Sequence, residues 1–295
     1  GAGTLILAGS SNAMTEVVTI AGGTLQVGNG GATGVLGTGD ITNNADLAFN
    51  RTGTVAVENI ISGTGNVYQN GTGVVSLDSD NLYQGVTVVN SGTLRVNAVH
   101  TGGAAYTVRS GGTLGGSGNT GAAVTVESGG TLAPGNSIGV LTVAAIDLDP
   151  GSTYSVEVNT TAGNEAGDRT NVSGTGGTTL GDGVTFPTLQ FVFTPGVLET
   201  YAPGKAFVIV QNTDPSATIT GRFAGPAPVS GVQTVVDGLL QYAVYYGTYS
   251  GTIYGGGVNS GGNDIVVEFT SVPEPGAATV LALSAATLLR RRRGA

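Results

Sequence analysis

Few residues in this chain have the chemistry for catalysis or metal binding. Among 295 residues there is one His, His100, and there is no Cys and no Trp. Gly135-Asn136-Ser137-Ile138-Gly139 has the Gly-x-Ser-x-Gly spacing of a nucleophile elbow. An elbow works only on a strand-to-helix turn with a base and an acid close by. Here Val140–Val143 reads as another strand and His100 is the sole imidazole, so the segment reads as a turn. Gly116-Ser117-Gly118-Asn119-Thr120-Gly121 has the dinucleotide-binding spacing, which needs a helix behind it. Val124-Thr125-Val126 follows instead, and glycine this abundant makes chance matches common. Asp78-Ser79-Asp80-Asn81 opens like an EF-hand loop. Tyr83 stands where the loop needs Gly, and Val89 where it needs a bidentate Glu. Gly261-Gly262-Asn263-Asp264-Ile265 has the composition of a calcium-binding turn, but it occurs once and such turns bind only when stacked. No catalytic residue, metal site or cofactor is expected.

Two further arrangements bear on alternative functions. A polysaccharide lyase or hydrolase places several carboxylates together on one face. The nearest acidic groupings are Asp147 with Asp149, and Glu165 with Asp168 and Arg169. Pro150-Gly151 follows the first at once, which favours a turn-capping role. The other arrangement is threonine at regular spacing. Thr19, Thr87, Thr107, Thr125 and Thr142 are candidates for one outward ladder, and Thr24, Thr93, Thr113 and Thr131 for a second. Such a face suits carbohydrate or ice, but Gln26, Arg95 and Gly115 interrupt it, and Thr also suits any exposed strand position.

The elements that position these residues follow from composition and repetition. Gly supplies 53 residues, about 18% against an ordinary share of about 7%, and charged residues are only 10%. With no thiol, disulfide scaffolds and cysteine metal sites are excluded. A net charge of −9 and ten Lys or Arg, four of them in one terminal run, exclude nucleic-acid binding. The 40% hydrophobic content is enough to bury a core.

Gly-Thr-Leu begins at positions 3, 23, 92, 112 and 130, and four of these follow a short strand centred on Thr19, Thr87, Thr107 or Thr125. Alternation puts Leu25 and Val27, or Leu94 and Val96, on one face and their neighbours on the other. Two such strands cannot form a core alone and must stack on copies of themselves. The central threonines Thr87, Thr107, Thr125 and Thr142 follow one another at nearly even steps, each step the length of one coil of a parallel β-solenoid. About nine coils over residues 1–180 would make a rod on the order of 40 Å long. The glycine pairs 22–23, 111–112 and 129–130 belong at its corners.

A longer repeat lies above this one. Gly3-Thr4-Leu5-Ile6-Leu7 matches Gly73-Val74-Val75-Ser76-Leu77 at an offset of 70, and Gly23-Thr24-Leu25-Gln26-Val27 matches Gly92-Thr93-Leu94-Arg95-Val96 at 69. With Gly34–Ile41, Ile60–Gly65 and Gly130–Gly139, these segments resemble the autotransporter-associated β-strand repeat of bacterial surface passengers. The resemblance covers residues 1–181. It implies an all-β fold, a single-stranded right-handed parallel β-helix, with an extracellular setting and usually no catalytic residues. No translocator barrel follows in the sequence, so self-export through one is not expected.

Composition shifts near residue 182, with 12 of the 17 Phe and Tyr and eight of the ten Pro lying beyond 181. Residues 182–270 are expected to form an aromatic-rich β-cap or small β-domain over the solenoid end. Residues 271–295 contain Val272-Pro273-Glu274-Pro275, an apolar run from Gly276 to Leu289, and Arg290-Arg291-Arg292-Arg293. The run is short for a span, which takes about 20 residues, and a basic cluster holds a segment on the cytoplasmic side. The three parts resemble the PEP-CTERM sorting signal of Gram-negative bacteria. That resemblance implies recognition of Val272, Pro273, Glu274 and Pro275 by an exosortase-type membrane protease. It also implies membrane arrest by Arg290, Arg291, Arg292 and Arg293 through a short hydrophobic helix. A tail of this kind requires export, so a chain opening at Gly1 without a leader is expected to be a fragment or a processed form. The expected protein is a secreted or surface-displayed structural or adhesive solenoid, with exopolysaccharide or surface glycans as partners.

Overall fold

The computed structural model describes residues 1–159, 164–193, 204–230, 232–237, 240–247, 249–250, 253–254 and 263–271. The described residues form strands, turns and bends with no helix, so none is long and apolar enough to cross a membrane. The hydrophobic segment and the Arg cluster of the tail lie outside the described residues.

The strands wind as a β-solenoid with three faces. The first face is a 10-stranded sheet running from Thr4–Leu7 to Ile219–Gly221. Nine of its strands fall at or before Leu180, and they span eight complete turns. The second face starts at Thr54–Val57 and continues through Val74–Leu77, Gly92–Val96, Gly112–Gly116, Thr131–Pro134 and Thr153–Asn159 to Thr188–Phe193. The third is short-stranded. It holds Val18–Ile20, Ile41–Asn43 and Ile61–Ser62, then single bridges at Asn81, His100 and Asn119, then Val140–Val143. From Asp46–Phe49 onward each coil visits the first, second and third face in that order.

In-register parallel pairing explains why the repeat folds this way. On the second face Thr54, Val74, Thr93, Thr113, Thr131 and Thr153 stand one above another, one to each coil. Alternation then stacks Val75, Leu94, Leu114 and Leu132 in one inward column, all fully buried. On the first face Leu25, Leu47 and Val67 form another. Each buried Leu contributes about 1.5–3 kcal/mol by leaving water, and only the coils above and below provide the cover. Corners demand glycine: Gly111 takes φ +82°, and at Gly116, with φ +104°, a Cβ would lie 2.2 Å from the Val96 carbonyl oxygen.

The expected threonine ladders are redistributed. Thr93, Thr113 and Thr131 do align outward, joined by Thr54, Thr153 and Thr188, but Thr24 sits on the first face between Thr4 and Asp46. Thr107 and Thr125 pair on the first face, and Thr19 and Thr142 lie on the third. Thr87 is inside. The strand there begins one residue later than the Val-Thr-Val pattern suggests, so Val88 takes the outward position and the Thr87 hydroxyl meets the buried Tyr83 hydroxyl at 2.6 Å.

Toward the C-terminus the coils lengthen: Ile146 pairs with Thr178, and Thr178 with Ile219. Lys205–Asn212 joins the third face beside Arg169–Val172 and then pairs antiparallel with Ile265–Ser271. Phe191 packs edge-on against Tyr242 and Phe269, with ring centroids 5.0 and 5.1 Å away, and their cluster is continuous with the solenoid core.

Because Leu114 is enclosed by Leu94 and Leu132, Leu114→Ala should cost about 2–5 kcal/mol in chemical denaturation. Thr113→Ala next to it, facing outward, should change stability by less than about 0.5 kcal/mol.

Candidate functional site: the outward second face

Most of the groups singled out by sequence are engaged within or between coils. His100 is 1% exposed inside the solenoid. Its Nε2 faces the Tyr83 carbonyl at 2.8 Å, and a carbonyl only accepts, so Nε2 carries the proton. Nδ1 therefore accepts from the Tyr106 hydroxyl at 2.6 Å. Burial lowers the His100 pKa below 6.5 and raises those of Tyr83 and Tyr106. With both ring nitrogens engaged, His100 is not a base for Ser137, whose hydroxyl instead lies 3.2 Å from Glu157 Oε1.

The acidic groupings disperse in the same way. Glu165 pairs with Lys205 at 2.6 Å, Arg169 donates to Asn171 Oδ1 at 2.9 Å, and Asp168 is 3% exposed. The Asp168 carboxylate accepts from the Gly139 N–H at 2.8 Å and the Glu157 N–H at 2.7 Å. Its pKa is pushed up to about 7, by burial first and the neighbouring Glu157 charge last, against those two bonds. It pins the Gly135–Gly139 turn onto the strand Thr153–Asn159. Asp147 projects outward on the first face between Thr125 and Thr179. The carbonyl of Asp149 caps a turn, accepting from the Ser152 N–H and hydroxyl at 3.0 and 2.7 Å.

Asp78 accepts from Ser76 and Asn97, Asp80 from the Val99 N–H, and Asn81 from the Ile61 N–H, so that neighbouring coils are tied together. Gly116–Gly121 runs into the strand Val124–Val126. Gly261 and Gly262 lie outside the described residues, while Asp264 is buried and accepts from the Asn212 N–H. Among the described residues no group of three or more His, Asp or Glu is placed to hold a metal ion.

One surface feature is not evident from the sequence. Beside the threonine column of the second face runs a column of Ala56, Ser76, Arg95, Gly115 and Ala133, with Ser155 and its neighbour Gln190 beyond it. A Cβ on Gly115 would lie 2.5 Å from the Ala133 carbonyl oxygen, so no side chain stands there, and with only the Ala133 methyl beside it the surface is low between Arg95 and Ser155. The Gly135–Gly139 turn rises along one side, bridged to Gly116 and held by Asp168. The result is a polar trough of about 220 Å³, walled by Asn136, Ser137 and Glu157 and edged by Thr93 and Thr113. Its signal in the sequence is the pair of small residues at matching coil positions, legible only once the register is known.

With this geometry described, two likenesses become informative. Residues 1–27 and 67–96 match a family described as Passenger-associated-transport-repeat. Over 84 residues, 28% of the chain, the sequence is 40% identical to the Adhesin BmaC autotransporter of Brucella suis biovar 1 (strain 1330). The matched stretch is 2% of that protein's length. The two repeat-matching stretches correspond to the longer repeat, yet their equivalent strands lie on different faces. Leu5 and Leu25 neighbour each other on the first face, and Val75 and Leu94 on the second. What both preserve is the relation between paired strands, parallel and one coil apart.

His100 is the only imidazole of the chain, so its NMR signals are unambiguous. They should titrate below pH 6.5 and show the proton on Nε2. Its contribution to stability should be complete above about pH 6.5. It should be lost as pH falls below that, because the unfolded chain takes up the proton first. A titration midpoint above the ordinary histidine value would contradict the buried arrangement.

Proposed function

We propose that this chain is a non-enzymatic, surface-displayed or secreted β-solenoid of a Gram-negative bacterium, with a structural and adhesive role. In this reading the coil is right-handed and the aromatic strands of residues 182–270 close its C-terminal end. The observation that carries the reading is the stack of passenger-like coils in which the elbow-like and dinucleotide-like segments are turns and His100 and Asp168 are engaged inside the stack. The likeness to an adhesin of Brucella suis supports the adhesive role. A solenoid of this kind presents long, regular outward faces while its core stays closed, which suits contact with a matrix or a cell rather than turnover of a substrate.

The tail supplies the address. Val272, Pro273, Glu274 and Pro275 serve as the recognition and cleavage segment for an exosortase-type protease. Gly276 to Leu289 enters the membrane during export and Arg290, Arg291, Arg292 and Arg293 arrest it there. The mature protein then sits at the cell surface or in the exopolysaccharide matrix. Carbohydrate binding is a second reading, favoured by the polar trough on the second face. A uniform ice-ordering face fits less well, since the column beside the threonines mixes Arg, Gly, Ala and Ser.

Replacing Pro273, Glu274 and Pro275 together by Ala should leave the protein at full length in the membrane fraction, read by fractionation and intact mass. Normal processing of that variant would overturn the tail assignment. Antibody labelling of intact cells should detect the wild-type protein, and failure to label would overturn surface display.

A further inference from the structure

We infer that the trough on the second face binds an acidic polysaccharide, with the carboxylate of a uronate-type sugar held by Arg95. This rests on the surface-adhesive reading above and names a site and a ligand class for it. Four observations converge.

The first is the state of the cations. The described residues include six Lys and Arg, and five are committed. Arg51 donates to the Gly34 and Ala32 carbonyls, Arg109 to Asn90, Arg169 to Asn171, Lys205 to Glu165 and Arg222 to backbone carbonyls around Gly225. Arg95 alone among them has no hydrogen bond or ion pair, and it stands at the end of the trough. Its guanidinium offers a fork of donors matched to a carboxylate.

The second is the floor. Next to Arg95 it is backbone and one methyl group, because the Ala133 carbonyl oxygen would lie 2.5 Å from a Cβ on Gly115, and the edges present the hydroxyls of Thr93, Thr113 and Ser137 and the amide of Asn136. Those are neutral partners for sugar hydroxyls. An uncommitted cation beside such a set discriminates a charged sugar from a neutral one.

The third is polarity along the trough. Glu157 lies three strands from Arg95, about 14 Å at ~4.8 Å per strand. Its carboxylate accepts from hydroxyls at that far end, as it already does from Ser137. Asp168, the other acid lining that end, is 3% exposed, and its two oxygens accept from the backbone N–H groups of Gly139 and Glu157. A chain lying along the solenoid axis would set its carboxylate at Arg95 and its hydroxyls toward Glu157.

The fourth is rigidity. The turn that forms one wall is fixed by Asp168 and by the bond from Asn136 Nδ2 to Asn97 Oδ1 at 2.7 Å, so the site exists before the ligand arrives.

The test uses the full chain with Arg290–Arg293 replaced by Ala, which removes the terminal basic cluster. Affinity is measured by calorimetry for polygalacturonate, its methyl ester, neutral dextran and poly-glutamate. Polygalacturonate should bind, more weakly as salt rises, and the other three at least tenfold more weakly. Arg95→Gln should weaken polygalacturonate binding at least tenfold, and Arg95→Lys should restore part of it. Ala133→Tyr, which fills the trough from outside the core, should abolish binding, while Thr54→Val on the same face should not affect it. Absence of polygalacturonate binding, equal binding by Arg95→Gln, or equal binding of the ester would overturn the site. Equal binding of poly-glutamate would overturn the glycan assignment in favour of an acidic peptide. Surface labelling of cells carrying Arg95→Gln should match wild type, so failure of this site is distinguishable from failure of surface display.

Discussion

Everything in this fold depends on one coil covering the leucines of the next. A short strand such as Thr24–Val27 has two inward side chains and no means of burying them alone. Parallel stacking solves this, and it fixes the register at the same time. A slip of one residue would turn Leu94, Leu114 and Leu132 to water and bring threonines inside. Coil length is therefore free to vary only at corners, where glycines absorb the changes. On the second face the step from Thr131 to Thr153 is longer than the step from Thr113 to Thr131, yet both pairs stay in register.

Where the regular ladder lapses, buried polar side chains take its place. The first coils have no strand on the second face, and residues 28–40 cross that gap without regular pairing. Arg51, 7% exposed, reaches the carbonyls there, and Asn59 donates to Gly37 and Gly39 at 2.8 and 2.7 Å. A buried cation and a buried amide are costly without partners, and here carbonyls freed by the missing strand supply them. The Tyr83–His100–Tyr106 group does the same at the narrow third face, where only single bridges remain.

The solenoid was legible because its signal is redundant: every coil repeats inward apolar positions two apart, with glycine between strands. The positive φ of Gly23, Gly111 and Gly129 belongs to that same legible layer. Which face a strand joins was not legible, because Leu5–Leu25 and Val75–Leu94 satisfy the same local rule on different faces. Thr87 misled for a related reason. Val-Thr-Val marks an outward threonine only if nothing inside needs a hydroxyl, and two buried tyrosines do. The trough was invisible in sequence because Arg95, Gly115 and Ala133 belong to three successive coils and become neighbours only through the register.

A repetitive fold poses a particular problem for recognition. Perfect repetition gives every coil the same outward face, and such a face can offer extent but no particular place. Alternation resolves it, because residues that build the core and residues that meet the outside interleave along one strand. Leu94 and Val96 are held by their neighbours while Arg95, between them, stays out of the core. Outward departures from the repeat therefore cost little stability, and a cation, a glycine and an alanine in adjacent coils make a specific surface without disturbing the stack. The turn held by Asp168 adds depth to it from outside the sheet. In a chain this poor in charge, with its other described cations committed to carbonyls, amides and two carboxylates, the place where a guanidinium is left free is where recognition has the means to act.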